Sequence, residues 1–338
     1  MRPFTYTRAE NLGEAVAALA ANPQARVLAG GTNLVDLMKY DVEHPAAIID
    51  INRLPLKEIE ELPDGSLRIG ALVSNSAVAY DARVAERYPL LASAILAGAS
   101  PQLRNAATTG GNLLQRTRCY YFYDPSTPCN KREPGSGCAA IGGVNRIHAI
   151  LGASEHCIAT HPSDMCVALA ALAATVEVEG PDGRRDIPFA DFHRLPGDHP
   201  EHDNTLKHGE IVVAVRLEGN HFAAHHSYLK LRDRLSYAFA LVSVAAALDI
   251  ADGMIVDLRV ALGGVARKPW RDTLAEAEFA GQPATRETFA AVADRLLAGA
   301  EGQGDNDFKI PMAKKAIVRA LSQAAEGTPQ VQSEKQLR

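Results

Sequence analysis

The sequence predicts an α+β protein: a larger α/β unit, then a smaller unit in which helices cover an antiparallel sheet. Three observations predict it. Helix-like and strand-like segments alternate through the first part of the chain, strand-like segments follow one another directly after His225, and two amphipathic helices close the sequence. The length of 338 residues suits two domains at roughly 100–200 residues each.

In order, "AENLGEAVAALAAN" has helical apolar spacing, with Asn11 placed as an N-cap. "ARVLAGGT" reads as a short buried strand entering a Gly-Gly turn, and "NLVDLMKY" as a helical turn behind it. "AAIIDIN" and "SLRIGALV" are strands, and residues 76–99 are helical. Periodicity then fails between Gln115 and His156, where Pro125, Pro128, Pro134, Gly135 and Gly137 punctuate the chain. A structureless stretch of that length inside a compact domain needs a reason. "SDMCVALAALAATVEVEG" returns to helix then strand, and "EIVVAVRL" adds a strand. After the composition changes, "HSYLKL", "LVSVAAALDI" and "IVDLRVALGGVA" form successive strands with turns at Asp252-Gly253 and Gly263-Gly264. "RETFAAVADRLLAGA" and "PMAKKAIVRALSQAAE" are the closing helices. The expected division is 1–222 with an insertion at about 115–158, then 223–326, then a polar, frayed tail at 327–338.

Hydrophobic residues make up 47% and charged residues 22%, enough apolar material for a substantial core. A net charge of −5 argues against a nucleic-acid partner, which favours a basic face. No long uninterrupted apolar run suggests a transmembrane helix, and "MRPFTYTRAENLGEAV" lacks the apolar core of a signal peptide. By itself the chain reads as cytoplasmic. Five cysteines are too few for a disulfide scaffold, and in a reducing compartment clustered cysteines are more often metal ligands.

"LAGGTNLVDLMK" places Gly30-Gly31 between a strand and a helical turn, where exposed amides can cradle anionic oxygens, with Thr32 and Asn33 as further donors. It is not the G-x-G-x-x-G fingerprint, and alone it is most simply a strand-to-helix turn. "ATTGGNLLQ" repeats the Thr, Gly-Gly, Asn combination. Two such loops suit a pyrophosphate held between them.

With "LRIGALV", "HPSDM" and "SYAFALVSVAAAL…ALGGVARKPWR", these stretches resemble the FAD-binding medium subunit of molybdenum hydroxylases, over about residues 1–325. The resemblance implies a two-lobed FAD-binding domain of the vanillyl-alcohol-oxidase type and a smaller C-terminal domain covering the flavin. It implies a first pyrophosphate loop of Arg26, Val27, Leu28, Ala29, Gly30, Gly31, Thr32, Asn33 and Leu34. The second loop would contribute Thr108, Gly111, Asn112 and Leu114. Asp164 would accept hydrogen bonds from ribose or ribityl hydroxyls, and Ile211 and Lys230 would pack against and polarise the isoalloxazine.

Most members of that family run from the second glycine loop almost directly into the helix after "SDM". Here the insertion intervenes, carrying Cys119, Cys129, Cys138 and Cys157 at spacings C-x9-C-x8-C-x18-C. That spacing fits neither a zinc ribbon nor a C-x-x-C redox pair, and the compact ferredoxin run is missing. The ligand count matches a [4Fe–4S] cluster, with zinc, disulfides and unligated thiols as alternatives. Arg116, Arg118, Lys131 and Arg132 lie beside the ligands and would offset a cluster charge of about −2. The tyrosines and Phe122 would form an apolar shell. Cys166 reads as a core residue of a helix. His148, His156 and His161 flank the loop, and "HPEH" and "HFAAHH" read as solvated. The insertion looks most like that of periplasmic-type aldehyde oxidoreductase flavin subunits.

The resemblance implies an electron-transfer subunit with no catalytic acid or base of its own. Substrate would be hydroxylated at a molybdopterin site on a large partner, and electrons would pass through [2Fe–2S] clusters on a small partner to FAD and an external acceptor, in a heterotrimer or its dimer. Export through a partner's signal would make the location periplasmic. The competing readings are direct NAD reduction at the flavin, as in xanthine- or CO-type dehydrogenases, and a metal-binding scaffold without flavin.

Overall fold

The computed structural model describes residues 1–219 and 222–332. Its first lobe is a parallel sheet of β1 (Thr5–Arg8), β2 (Ala25–Leu28) and β3 (Ala47–Asp50) in the order β1-β3-β2. The helix Leu12–Ala21 makes the first crossover, and the Asn11 side chain caps it by accepting from the Glu14 amide. The helix Leu34–Lys39 follows β2.

The second lobe is a five-stranded sheet of β4 (Ile59–Glu61), β5 (Leu67–Gly70), β6 (Thr175–Gly180), β7 (Gly183–Pro188) and β8 (Ile211–Leu217). Its order is β4-β5-β8-β6-β7 and every pairing is antiparallel. Only the first lobe therefore has the parallel α/β character expected for the whole unit. Sequence patterning misses β1, β4 and β7 for a shared reason. They are sheet edges, largely exposed, and lack the apolar alternation of a half-buried strand.

Strand β8 joins the two lobes. Ile211 and Val213 pack into the first-lobe core with Leu54, Leu56 and Leu72, whereas Val212, Val215 and Leu217 enter the larger second core. A bulge opposite Glu177/Val178 inserts one residue and shifts the alternation of faces.

The helical stretch at 76–99 is three helices, Asn75–Tyr80, Ala82–Arg87 and Pro89–Ala97. Asp81 breaks the first from the second and caps the second through the amides of Arg83 and Val84, and Pro89 opens the third.

The C-terminal domain is an antiparallel sheet of β9 (His226–Leu231), β10 (Val242–Ala251) and β11 (Met254–Gly263), in the order β11-β10-β9. Asp252 and Gly253, both at positive φ, make the tight hairpin turn between β10 and β11. Both faces of β10 are buried. Val242, Val244, Ala246 and Leu248 pack under the helices Arg286–Leu296 and Lys309–Ala325, while Ala245 and Ala247 join the core of the second lobe. That double burial makes the strand a continuous apolar run.

Some expectations need correction. His225 and His226 are half-buried and their Nδ1 atoms contact the carbonyls of Ala324 and Ala223; His221 lies outside the described residues. The tail is anchored at Gln332, whose Nε2 donates to Ser93 Oγ (3.2 Å) and the Tyr228 carbonyl (3.1 Å), although Thr328 and Val331 are exposed; residues 333–338 lie outside the described residues.

The C-terminal domain also clasps the insertion. Lys309 is completely buried, and its ammonium donates to the carbonyls of His148 (2.7 Å) and Gly264. Burial, aided by Arg146, pushes its pKa from 10.5 down to about 7. Between those values the unfolded chain holds a proton that the folded chain does not, so stability rises with pH across that window. Denaturation midpoints followed upward from pH 7 should therefore climb more steeply for the wild type than for Lys309→Met. Parallel curves would show that the lysine is charged throughout.

Candidate cofactor cavity and cysteine cradle

A cavity of about 1020 Å³ separates the two glycine loops from the C-terminal sheet, at the upper end of the roughly 300–1,000 Å³ usual for small-molecule sites. Thr32 and Asn33 from the first glycine loop line it, with Gly111 and Asn112 from the second, Asp164 and the N-cap Ser163 of the helix Asp164–Ala171, and Lys230 from β9.

The two loops meet backbone to backbone. A Cβ on Gly30 would lie 1.9 Å from the carbonyl oxygen of Ala106, so only glycine fits there, and Gly31 sits at φ +72. Asn33 Oδ1 accepts from the Arg116 amide (2.9 Å), and its buried Nδ2 has no partner in the protein. That leaves a donor free for a ligand in the cavity. Leu28, Ala29 and Leu34 shape the loop without lining the cavity. Arg26 turns outward to Glu43 (3.6 Å), and Val27 packs with the first-lobe core.

In the second loop, Thr108 caps the short helix Thr109–Leu113 by accepting from the Gly111 amide, and Leu114 is partly exposed outside the cavity wall. Asn112 is a hub. Its Nδ2 donates to Asn75 Oδ1 (2.7 Å), and its Oδ1 accepts from Ser163 Oγ (2.5 Å) and Gln115 Nε2 (2.8 Å). Its amide thus ties three segments together at the cavity wall.

Asp164 and Lys230 form a buried ion pair (2.7 Å) across the domain boundary, and Tyr228 OH donates to the other carboxylate oxygen (2.7 Å). Burial and this carboxylate push the Tyr228 phenol well above its ordinary pKa. Tyr228 escaped sequence reading because a tyrosine within a strand looks like core. Ile211, expected beside the isoalloxazine, is instead buried between the lobes and does not line the cavity.

The insertion is irregular but ordered. Asn130 Oδ1 accepts from the amides of Gly135 (3.1 Å) and Gly137 (2.8 Å), its Nδ2 donates to the His156 carbonyl (3.0 Å), and Arg132 Nη1 donates to the carbonyls of Tyr121 (2.7 Å) and Phe122 (2.9 Å). The result brings Cys119, Cys129, Cys138 and Cys157 around one small pocket with Phe122 and Ala159. None is in a disulfide. Burial pushes the Cys119 thiol up to about 12, and His148 Nε2 lies 3.1 Å from its Sγ. Lys131 is buried at this pocket, while Arg118 turns away to the large cavity, pairing with Asp36 (3.2 Å) under Phe239. Burial near Arg267 pushes the Lys131 ammonium down to about 6, although it pairs with Asp203 (2.5 Å). Four thiols around a buried amine that a negative neighbour would keep protonated suit an anionic metal–thiolate group.

Cavity and cradle share a wall. In the one-turn helix Tyr120–Tyr123, Tyr120 and Tyr123 line the cavity, whereas Tyr121 and Phe122 line the cradle. Cys166 stays in the core. Its Sγ and the rings of His161 and His193 offer ligand atoms within 4.8 Å of one another, the one such group among the described residues. His193 Nε2 donates to the Leu113 carbonyl and His161 Nδ1 accepts from the Ser163 amide. The remaining nitrogens, His161 Nε2 and His193 Nδ1, have no hydrogen-bond partner in the protein, and the buried Arg267 alongside opposes a cation.

The model of the family "FAD binding domain in molybdopterin dehydrogenase" matches residues 2–217, and that of the "CO dehydrogenase flavoprotein C-terminal domain" matches residues 226–324. The chain belongs to this family of FAD-binding subunits of molybdenum hydroxylases. It is 51% identical over 325 residues to the aldehyde oxidoreductase FAD-binding subunit PaoB of Escherichia coli (strain K12), covering 96% of this chain and 99% of the relative. It is 28% identical to the carbon monoxide dehydrogenase medium chain of Hydrogenophaga pseudoflava, covering 95% and 96%. The solved carbon monoxide dehydrogenase of that organism superposes with a TM-score of 0.76 at 29% identity, over 97% of this chain and 99% of the other. No helix among the described residues is long and apolar enough to cross a membrane.

Gly30→Ala should force the two loops apart, a strain of about 1–3 kcal/mol. The flavin-to-protein ratio of the purified subunit should fall, read from its absorption spectrum. Full flavin occupancy would show that the contact between the loops is not needed.

Proposed function

We propose that this chain is the flavin subunit of a molybdenum-containing aldehyde oxidoreductase, with FAD in the interdomain cavity and a [4Fe–4S] cluster on Cys119, Cys129, Cys138 and Cys157. A large molybdenum-cofactor subunit and a small [2Fe–2S] subunit are its partners, and an external acceptor takes the electrons. The observation that carries the reading is the shared wall at Tyr120–Tyr123, which sets the four-cysteine pocket directly beside the cavity. The aldehyde assignment rests on the 51% identity to an aldehyde oxidoreductase subunit.

FAD, when bound, supplies chemistry that joins two-electron to one-electron transfer. The residues of this chain hold and tune it. The paired glycine loops present amides, Thr32 and the free Asn33 Nδ2 to the pyrophosphate. Asp164, fixed by Tyr228 and Lys230, receives sugar or ribityl hydroxyls, and the Lys230 ammonium sets the electrostatics of the pocket. The cradle offers four cysteines around one pocket, the ligand count of a [4Fe–4S] cluster.

The complex purified with its partner subunits should show a flavin spectrum and bear iron on this chain. Cys119→Ser should remove about four irons per chain, while Cys166→Ser leaves iron unchanged. Zinc in place of iron, or iron unaffected by Cys119→Ser, would sink the cluster assignment.

A further inference from the structure

Arg267 lies in the C-terminal domain just beyond β11, yet its guanidinium belongs to the cradle of the FAD domain. It is fully buried and pairs with Asp203, which in turn pairs with Lys131 on the wall of the cysteine pocket. Its Nε and Nη1 have no hydrogen-bond partner in the protein. The segment holding it cannot drift. The Val265 carbonyl accepts from the amides of Ile150 (2.9 Å) and Leu151 (3.0 Å), and the Ala266 carbonyl from the amide of His161 (2.9 Å), whose ring lines the flavin cavity.

Asp203 collects cations from three parts of the chain. Besides Arg267, it accepts from Lys131 Nζ (2.5 Å) and Arg116 Nε (2.9 Å). Glu43 shares Arg116 with it, so two carboxylates face two guanidiniums and Lys131, and Arg267, with no exposed route, cannot move its charge into water. Fixed buried cations and free N–H donors beside a sulfur-ligated group favour its reduced, more negative state. A fixed carboxylate opposes it.

We propose that Arg267 and Asp203 form a charge node that sets the reduction potential of the cluster beside the flavin, with Arg267 raising it and Asp203 lowering it. Both act as positioning residues through electrostatics, and the node makes docking of the C-terminal domain part of the tuning of the cradle. This rests on the cluster reading above.

The test is an EPR-monitored redox titration of the assembled complex, with iron and flavin assayed on the same samples. Arg267→Gln should titrate at lower potential than the wild type, Asp203→Asn at higher potential, and Arg267→Lys close to the wild type. Iron-bearing variants that titrate at the wild-type potential, or that both shift in one direction, overturn the proposal. If Arg267→Gln loses its iron, the Asp203→Asn shift decides by the same criterion. Iron lost from both marks a purely structural clasp and also overturns it. A wild-type complex without cluster iron sinks the cluster reading itself, whereas iron present with unshifted potentials sinks only the node.

Discussion

The buried pair of Asp164 and Lys230 is the contact on which the architecture turns. A carboxylate at the start of a core helix and an ammonium on β9 meet at 2.7 Å across the domain boundary. Neither could be buried alone, because removing one partner of such a pair costs about 3–5 kcal/mol. The pair therefore aligns the C-terminal sheet on the FAD domain and places a charged floor in the space that remains. Small residues permit the approach. A Cβ on Gly263 would lie 2.6 Å from Val167 of that helix, and one on Gly98 would lie 3.1 Å from Asp164 itself.

From that alignment follows the placing of two sites side by side. The cavity exists because two glycine loops touch at Gly30 and Ala106 and the C-terminal sheet closes over them. The cradle exists because the insertion folds back between the first glycine loop, the 193–204 loop and the C-terminal domain, held by Lys309, Asn306 and Arg267. One turn of helix separates the two, and its tyrosines divide between them. The adjacency of the two pockets is thus built into consecutive residues.

Much of the fold was legible. The strands β2, β3, β5, β6, β8, β9, β10 and β11 all fall within segments with strong apolar runs, and the capped helices have polar starts followed by apolar spacing. The exposed edge strands were not legible, because their stability comes from a neighbour and not from their own pattern. The glycine loops were recognisable from composition and order. The roles within them were not: Asn33 keeps a free donor, while Asn112, likewise close behind a glycine pair and followed by leucine, spends its amide on the protein.

By itself the sequence determined the two-part architecture, the paired glycine loops and the confinement of four cysteines to one insertion, since these depend on local conformational preference and on residue identity. Only the tertiary structure decided which face each residue serves. It turned Arg118 and Tyr120 to the cavity, kept Ile211 in the core, buried Lys230 against Asp164, and brought Arg267 and Asp203 from distant segments to the cysteines. Burial and charge pairing are properties of what lies across the interface, and a linear chain does not record its partners in space.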